Sequence, residues 1–338
     1  MSLTVSSETL STQSSENQTN MSDSCIIFAH VFLKKEESLH KYQIFASNYP
    51  ELTSFLLILN LVLPLLSIGG NALVILAIAL VRELRVPANL LLVSLAANDA
   101  LTGLVIQPSH AVSLYRALLQ PYGKLCRTDG KIFIDICAMF SLTSGLTSLC
   151  LITVDRYISI TRPLRYFAIV TKRRTYAAIK TSIAGCGTLA LLCVFLPPYV
   201  PSIMIVWWVY ILGICTTMVA LHMRLYIISS KHSAAIVAEE KRLNPLINTK
   251  SERKALKTLL FVAMTLALSF APITLFNLYL LNAANGEAEH LEIILMPFLV
   301  TLLLAAPSLH PFIYFIRSVR IRKVIRRVIM RHYRNRTS

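Results

Sequence analysis

The sequence predicts an all-α membrane protein, a bundle of seven transmembrane helices followed by a short amphipathic eighth helix. Of its 338 residues, 55% are hydrophobic and only 15% are charged, which is too apolar for a soluble domain of this length. The apolar residues form seven runs, each of about 20 residues or more, as a helix needs to cross a bilayer. Only helices and closed barrels satisfy their backbone in lipid, and these runs are too long and evenly apolar for barrel strands.

The seven spans follow these apolar runs in order. They are Leu52–Val81, Ala88–Ser113, Lys131–Tyr157, Tyr176–Leu196, Ser202–Ser229, Ala255–Leu281 and Glu292–Phe315. We expect an extracellular N-terminal tail at 1–50, a membrane domain at 51–316 and a cytoplasmic segment at 317–338. The first 25 residues are polar and lack the apolar core of a signal peptide, so span 1 is expected to act as its own targeting signal.

Basic residues lie mainly on one side of the predicted bundle. Of the 33 Lys and Arg, 26 fall in the connections after spans 1, 3 and 5, at the helix ends next to them and in the C-terminal segment, and seven fall on the other side. The positive-inside rule then places the N-terminus outside the cell and the C-terminus in the cytoplasm. Topology and contact with anionic lipid explain the net charge of +16 better than nucleic-acid binding does, so we expect the lipid bilayer, and no nucleic acid, as a partner.

Two features of the tail and outer connections fit this orientation. Asn17 and Asn20 each begin a glycosylation sequon. Cys25 and Cys126 are the two cysteines outside the spans, in an oxidising compartment, and we expect a disulfide between them. The remaining cysteines fall inside spans and are expected to stay free, as small apolar residues: Cys137, Cys150, Cys186, Cys193 and Cys215.

Polar residues inside the spans are costly in lipid and are by default functional. Asn71 in span 1 and Asp99 in span 2 both lie at mid-membrane depth. For Asn71 we expect a structural hydrogen bond with Asp99. For Asp99 we expect a functional role, because a buried carboxylate needs a partner.

Further motifs mark the ends of later spans. Span 3 closes with Asp155, Arg156 and Tyr157, span 6 contains Pro272, and span 7 ends in Pro311-x-x-Tyr314. A proline inside a helix removes a backbone hydrogen bond and kinks the helix. After span 7, Val, Ile and Arg recur at helical spacing from Arg317 onward, which predicts an amphipathic helix on the inner leaflet.

These motifs, together with Gly70-Asn71 and with Leu95-Ala96-Ala97-Asn98-Asp99, resemble those of the rhodopsin-like (class A) G-protein-coupled receptors. The resemblance covers the membrane domain, from about Gly70 to about Arg327. The chain departs from the family pattern at several positions, among them Ile183 and Phe270 in place of Trp, Ser269 in place of Cys, His222 in place of Tyr and His310 in place of Asn. The lack of a Cys between spans 4 and 5 and of a Pro in span 5 is similar to the melanocortin, cannabinoid and lysophospholipid receptors.

The resemblance implies a receptor without enzymatic activity. Such a receptor binds an extracellular ligand at the plasma membrane and activates a heterotrimeric G protein by outward movement of helix 6; arrestin is a further partner. Arg156 would pair with Asp155 and Glu252 in the inactive state, and activation would turn span 6 about Pro272 while Tyr314 fills the gap. Tyr157 and His222 are further switch positions that the resemblance implies. A non-signalling scaffold or decoy receptor remains an alternative, as does a transporter, although the repeated halves of a transporter are lacking.

The resemblance also implies a sodium ion at Asp99. The supporting residues differ from the family here, since Gly145 stands in place of Ser, Phe270 in place of Trp and His310 in place of Asn. A second hypothesis therefore pairs Asp99 with His310 instead of sodium. A carboxylate favours the charged form of a neighbouring histidine, so signalling would depend on pH; a neutral His310 that shares one hydrogen bond is the other alternative.

A ligand pocket is expected in the outer halves of spans 3, 5, 6 and 7, with no cofactor. The amine-binding Asp of related receptors would fall on Ala138, so an amine ligand is not expected. Asn277 stands where adenosine receptors hold adenine. Glu287, Glu289 and Glu292 are expected to form a solvated acidic rim. The candidate pocket residues are Asp135, Ala138, Met139, Leu142, Phe270, Ile273, Asn277, Met296 and Leu303.

Overall fold

A computed structural model of the chain describes residues 37–119, 131–197, 199–200, 202–243, 269–280, 287–317, 322 and 324. Five of the predicted site residues lie outside these ranges: Asn17, Asn20, Cys25, Cys126 and Glu252. Glycosylation, the disulfide and the Glu252 contact therefore stay predictions. The five cysteines inside the spans are free, as expected.

The described residues form helices joined by short turns. In chain order they are α1 (Glu37–Asn48), α2 (Pro50–Leu80), α3 (Pro87–Leu101), α4 (Gln107–Leu119), α5 (Lys131–Thr161), α6 (Tyr166–Ile169), α7 (Lys172–Phe195), α8 (Ile203–Leu243), α9 (Ser269–Leu280) and α10 (Glu287–Arg317). Spans 1 to 7 correspond to α2, α3 with α4, α5, α7, α8, α9 and α10. Among the described residues, six of these spans are long and apolar enough to cross a membrane, and α9 is a shorter apolar helix.

Span 2 is one continuous helix with a wider turn in its middle. A π-helical turn, Thr102–Ile106, joins α3 to α4. Gly103 in this turn faces α2, and a Cβ there would lie 3.0 Å from the Cβ of Ser67. π-Bulges of this kind often occur near functional positions, and this one follows Asp99 by three residues.

Two apolar clusters hold the spans together. One joins α2, α3, α5, α8 and α10 and includes Leu95, Leu149, Met218 and Tyr314. The other joins α5, α7, α8 and α9 around Met139, Trp207 and Phe270. Large apolar side chains also remain exposed on the spans, as lipid-facing surfaces require. We call the end of the bundle that carries Arg156 the inner end and the opposite end the outer end, following the predicted orientation.

Helices α2 and α10 pack so closely at Gly70 that a side chain at this position does not fit. A Cβ on Gly70 would lie 2.7 Å from the Cβ of Pro311, closer than real side chains come, so only glycine fits at this position. The adjacent Asn71 donates hydrogen bonds from its Nδ2 to the backbone carbonyls of Ser67 at 2.8 Å and Pro307 at 3.1 Å. Pro311 has no N–H to give to the carbonyl four residues earlier, and Asn71 supplies that missing donor.

Helix α1 was not predicted, because residues 37–48 have no apolar run. It packs on α2, α4 and α10 at the outer end, where Phe45 is fully buried and meets Phe298 edge to face at 5.9 Å. Lys41 pairs with Glu292 at 2.9 Å, and both side chains are about nine-tenths buried. The prediction that Glu292 belongs to a solvated rim is therefore wrong, since the basic residue that covers it comes from the tail.

The segment after α10 agrees with an amphipathic helix where it is described. Arg322 is exposed, whereas Val324 is partly buried against a cluster that contains Ala77 and Leu84 at the inner end of α2. An exposed basic residue and a partly buried apolar residue two positions apart fit an inner-leaflet helix, which stays a prediction.

Candidate functional site

The inner end of α5 carries the charged pair that the sequence singles out. The Asp155 side chain is 3% exposed and the Arg156 side chain is 36% exposed. Arg156 Nε lies 3.8 Å from Asp155 Oδ2, which is too long for a hydrogen bond. Instead, the Tyr166 hydroxyl donates to Asp155 Oδ1 at 2.8 Å. Asp155 is thus held chiefly by Tyr166, and the Arg156 guanidinium stays partly open to the inner surface.

Tyr166 reaches Asp155 because the chain turns sharply after α5. A 3-10 turn at Pro163–Arg165 leads directly into the short helix α6, which begins at Tyr166. Burial, and after it the hydrogen bond to Asp155, raises the pKa of the Tyr166 phenol well above its usual range. The phenol therefore keeps its proton and acts as a donor. The sequence analysis missed Tyr166, although its place soon after the Asp155–Tyr157 motif was a usable signal.

The same loop presents apolar side chains to solvent. Leu164 is 98% exposed and Phe167 is 83% exposed. Arg162 and Arg165 flank Leu164 and are exposed as well. Large apolar side chains beside arginine on a surface are typical of protein–protein interfaces.

Besides Asp155 Oδ2, two buried polar atoms near the inner end have no hydrogen-bond partner among the described residues. They are the Tyr314 hydroxyl on α10 and the Nε2 of His222 on α8. His222 Nδ1 lies 2.7 Å from the Met218 carbonyl and must be the protonated nitrogen, since a carbonyl only accepts. In a neutral ring Nε2 is then an acceptor, so one helix carries an unused acceptor and the other an unused donor.

Asp99 and His310 form the polar core of the bundle. His310 Nδ1 lies 2.7 Å from Asp99 Oδ2, and both residues are buried, with exposures of 3% and 2% respectively. The predicted contact between these residues is present. One carboxylate oxygen is engaged by His310, and the Ser of the family is replaced by Gly145, where a Cβ would meet Asn98 Nδ2 at 3.0 Å. Hard cations need several oxygen ligands, and His310 already engages one of the two Asp99 oxygens. Sodium at Asp99 stays a prediction.

The predicted hydrogen bond between Asn71 and Asp99 is not formed, because Asn71 is committed to the carbonyls of Ser67 and Pro307. Ser67 instead donates to the Asp99 backbone carbonyl at 2.8 Å. The neighbouring Asn98 was missed: it donates to the Ser141 carbonyl at 3.0 Å and accepts from the Ser144 hydroxyl, which ties α3 to α5. An Asn at mid-span depth was a signal that could have identified it.

The candidate pocket residues divide into four groups. Met139, Leu142, Phe270 and Leu303 share the cluster around Trp207. Ala138 packs with Ile106 and Leu304 on the α4 side of α5. The buried residues Asp135, Ile273 and Met296 belong to neither cluster. Asn277 donates to the carbonyl of Ile273 at 2.8 Å, and its amide group is thus turned onto its own helix.

A polar contact on the α8 side of this cluster was not anticipated. The hydroxyls of Thr147 on α5 and Tyr210 on α8 are 2.8 Å apart. One turn further out, Trp207 Nε1 donates to Thr143 Oγ1 at 3.2 Å. These bonds fix the position of α8 against α5, where the sequence lacks the proline that the resembling receptors have in this helix.

Comparisons with known proteins find similar receptors. The alpha-2B adrenergic receptor of Equus caballus is 44% identical over 117 residues, which cover 35% of this chain and 29% of that receptor. The alpha-2B adrenergic receptor of Orycteropus afer is 40% identical over 136 residues, or 40% and 32% of the two chains. The 5-hydroxytryptamine receptor 7 of Xenopus laevis is 39% identical over 106 residues, or 31% and 24%. The chain thus matches about a third or less of the length of each relative.

The match to a family model is much longer than these. The model described as 7 transmembrane receptor (rhodopsin family) matches residues 70–314, more than half of the chain. This confirms the predicted seven-helix fold and a receptor class without enzymatic activity, whereas the predicted branch within the class stays a prediction. The chain belongs to the rhodopsin family of seven-transmembrane receptors.

Proposed function

We propose that this receptor binds an extracellular ligand at the plasma membrane and activates a heterotrimeric G protein on its cytoplasmic side, with the N-terminus outside. The observation that carries the proposal is the engagement of Asp155 by Tyr166, which leaves the Arg156 guanidinium half-exposed at the inner end. A guanidinium offers five N–H donors. It suits the carbonyl groups at the C-terminal end of a partner helix, where the helix dipole is negative.

The exposed loop beside Arg156 supports the same partner. Leu164 would enter an apolar depression on the G protein, and Arg162 and Arg165 would meet acidic groups around it. Arrestin would use the same inner surface, because it would recognise the same active arrangement. The lipid bilayer holds the remaining basic residues at its anionic inner leaflet.

The unpaired atoms of Tyr314 and His222 support a bundle with two arrangements. Each buried polar group without a partner costs about 1–3 kcal/mol. An arrangement in which the Tyr314 hydroxyl donates to His222 Nε2, directly or through one water, would recover that free energy. We propose that this link forms when span 6 turns outward about Pro272 and releases Arg156 from Glu252.

Asp99 and His310 would connect this inner switch to the ligand. Their contact joins α3 to α10 halfway along the bundle. We propose that it takes the place of the sodium ion of related receptors. A ligand held by the outer halves of α5, α9 and α10 would then act on the switch through α10.

The deciding experiment measures cAMP and calcium in cells that express the receptor, with and without Arg156→Ala. An N-terminal tag reports surface expression, and Arg173→Ala, at an exposed arginine on α7, is the control. We expect ligand-independent output that Arg156→Ala abolishes and Arg173→Ala preserves. If all variants reach the surface and remain silent, Glu252→Ala is added to release Arg156. Continued silence would favour a non-signalling scaffold or decoy receptor.

A further inference from the structure

Helix α1 is held on the outer end of the bundle by contacts of the kind found in a protein core. Phe45 is fully buried among Leu56, Leu114 and Phe298. One turn earlier, the Tyr42 ring meets the His110 ring edge to face at 5.9 Å. Burial raises the pKa of the Tyr42 phenol well above its usual range, so this ring is uncharged. A solvated tail would make none of these contacts.

The seat beneath α1 is the junction of three spans. Thr301 on α10 donates its only hydroxyl proton to the Pro297 carbonyl at 2.8 Å. Its oxygen therefore accepts from Asn60 Nδ2 of α2 at 2.9 Å and from His110 Nε2 of α4 at 3.3 Å. Because His110 lies under Tyr42, α1 covers the point where α2, α4 and α10 are joined.

A buried ion pair fixes α1 to α10. Lys41 Nζ lies 2.9 Å from Glu292 Oε2, with side-chain exposures of 8% and 11%. Apolar residues in place of such a pair often stabilise a fold equally well, whereas the loss of one partner leaves a buried charge and is strongly destabilising. The pair thus adds little net stability but makes the docking of α1 depend on one specific contact with span 7.

The connection of α1 to the bundle allows it to leave this seat. Only Tyr49 lies between the end of α1 at Asn48 and the start of α2 at Pro50, and its backbone is non-helical, with φ −133° and ψ 63°. A change of dihedral angles at one residue is enough to swing α1 away without disturbing α2.

We propose that α1 is a built-in regulatory helix that holds the outer end of α10 against α2 and α4, and that its release raises ligand-independent signalling. The restraint on α10 follows from the contacts of α1, and its effect on signalling rests on the proposed function. Anything that draws the tail away from the bundle would act through the same contact.

The test compares the native receptor with Glu292→Lys, which places two like charges together, and with the exchanged pair Lys41→Glu plus Glu292→Lys. Spin labels introduced through unnatural amino acids at Arg173 on α7 and Phe312 on α10, both exposed, report the position of α10 in lipid nanodiscs. We expect Glu292→Lys to shift the label distances and to raise basal output on the order of fivefold, the low end of ordinary coupling between sites. The exchanged pair should restore both readings.

A second variant keeps the test decisive if Glu292→Lys fails to fold. Lys41→Cys with Glu292→Cys, once oxidised, would pin α1 in its seat. We expect this variant to keep the native label distances and to lower basal output, and reduction to reverse the second effect. Unchanged distances after α1 is released, or a fall in basal output, would overturn the inference. A shift in distance in the nanodiscs, together with no signal from any variant in cells, would reject the proposed function and leave the restraint on α10 established.

Discussion

Asp99 on α3 and His310 on α10 meet in the centre of the bundle, with 2.7 Å between the carboxylate Oδ2 and the imidazole Nδ1. Nδ1 carries the proton in this contact, because the carboxylate only accepts. His310 Nε2 is buried and has no partner among the described residues. The contact with Asp99 thus uses one ring nitrogen of His310 and leaves the other unsatisfied.

This contact predicts how the receptor responds to sodium and to pH. We expect native signalling to be indifferent to sodium and to vary with pH, because a histidine contacts the buried carboxylate. His310→Asn frees the carboxylate and adds an amide oxygen, so signalling should become sodium-sensitive and lose its pH dependence. Dose–response curves in sodium and in choline buffer at several pH values measure both effects.

The control for this experiment is His40→Asn, because His40 is exposed on α1. The same sodium response and the same pH profile in His310→Asn and in the native receptor would contradict a role for the Asp99–His310 contact.

Tyr166→Phe should reduce G-protein coupling. The change removes the hydroxyl that donates to Asp155, a charge-assisted hydrogen bond worth about 1.5–3 kcal/mol. Asp155 would then turn to Arg156, which is 3.8 Å away, and would withdraw the guanidinium from the inner surface. Basal second-messenger output at matched surface expression measures the effect, and Tyr176→Phe, at a half-exposed tyrosine of α7, is the control. Equal output from both variants would show that Tyr166 does not position Asp155.

Gly70→Ala should destabilise the bundle. The added methyl group would lie 2.7 Å from the Cβ of Pro311, and overpacking of this kind costs about 1–3 kcal/mol. Gly69 offers a matched control one residue away, since a Cβ there meets nothing within 4 Å. Thermal unfolding of the purified receptor in detergent should show a lower midpoint temperature for Gly70→Ala than for the native receptor, and an unchanged midpoint for Gly69→Ala. Equal midpoints for the two variants would refute the close approach of α2 and α10.

Leu164→Ser should weaken coupling without affecting the fold. Leu164 is 98% exposed, so its loss removes no internal packing, whereas an interface that buries it would lose about 1.5–3 kcal/mol. Tyr199→Ser is the control at the outer end, where Tyr199 is 85% exposed. G-protein activation in membranes should fall for Leu164→Ser alone, with thermal stability unchanged in both variants. A loss of stability in Leu164→Ser would mean that the side chain packs against the receptor itself.

Hydropathy was enough to locate the spans, because lipid imposes a length and a composition that the sequence shows directly. Hydropathy was not enough to locate α1, because this helix has few apolar residues and is held by partners that are distant in sequence. Glu292, the partner of Lys41, lies 251 positions away. The contact between Asp99 and His310 was predictable because both residue types are rare in lipid. The partner of Asn71 was not, since the acceptor is a backbone carbonyl that becomes available only because Pro311 lacks an N–H.

The contact between Gly70 and Pro311 also limits how this sequence can change over generations. A residue larger than glycine fits at position 70 only if the proline ring at position 311 is also lost. Loss of the ring alone would leave an empty space beside Gly70. Each single substitution passes through a less stable receptor, so the two positions are expected to change together or to remain as they are. Position 69, adjacent in sequence, carries no such constraint, because a Cβ there meets nothing within 4 Å.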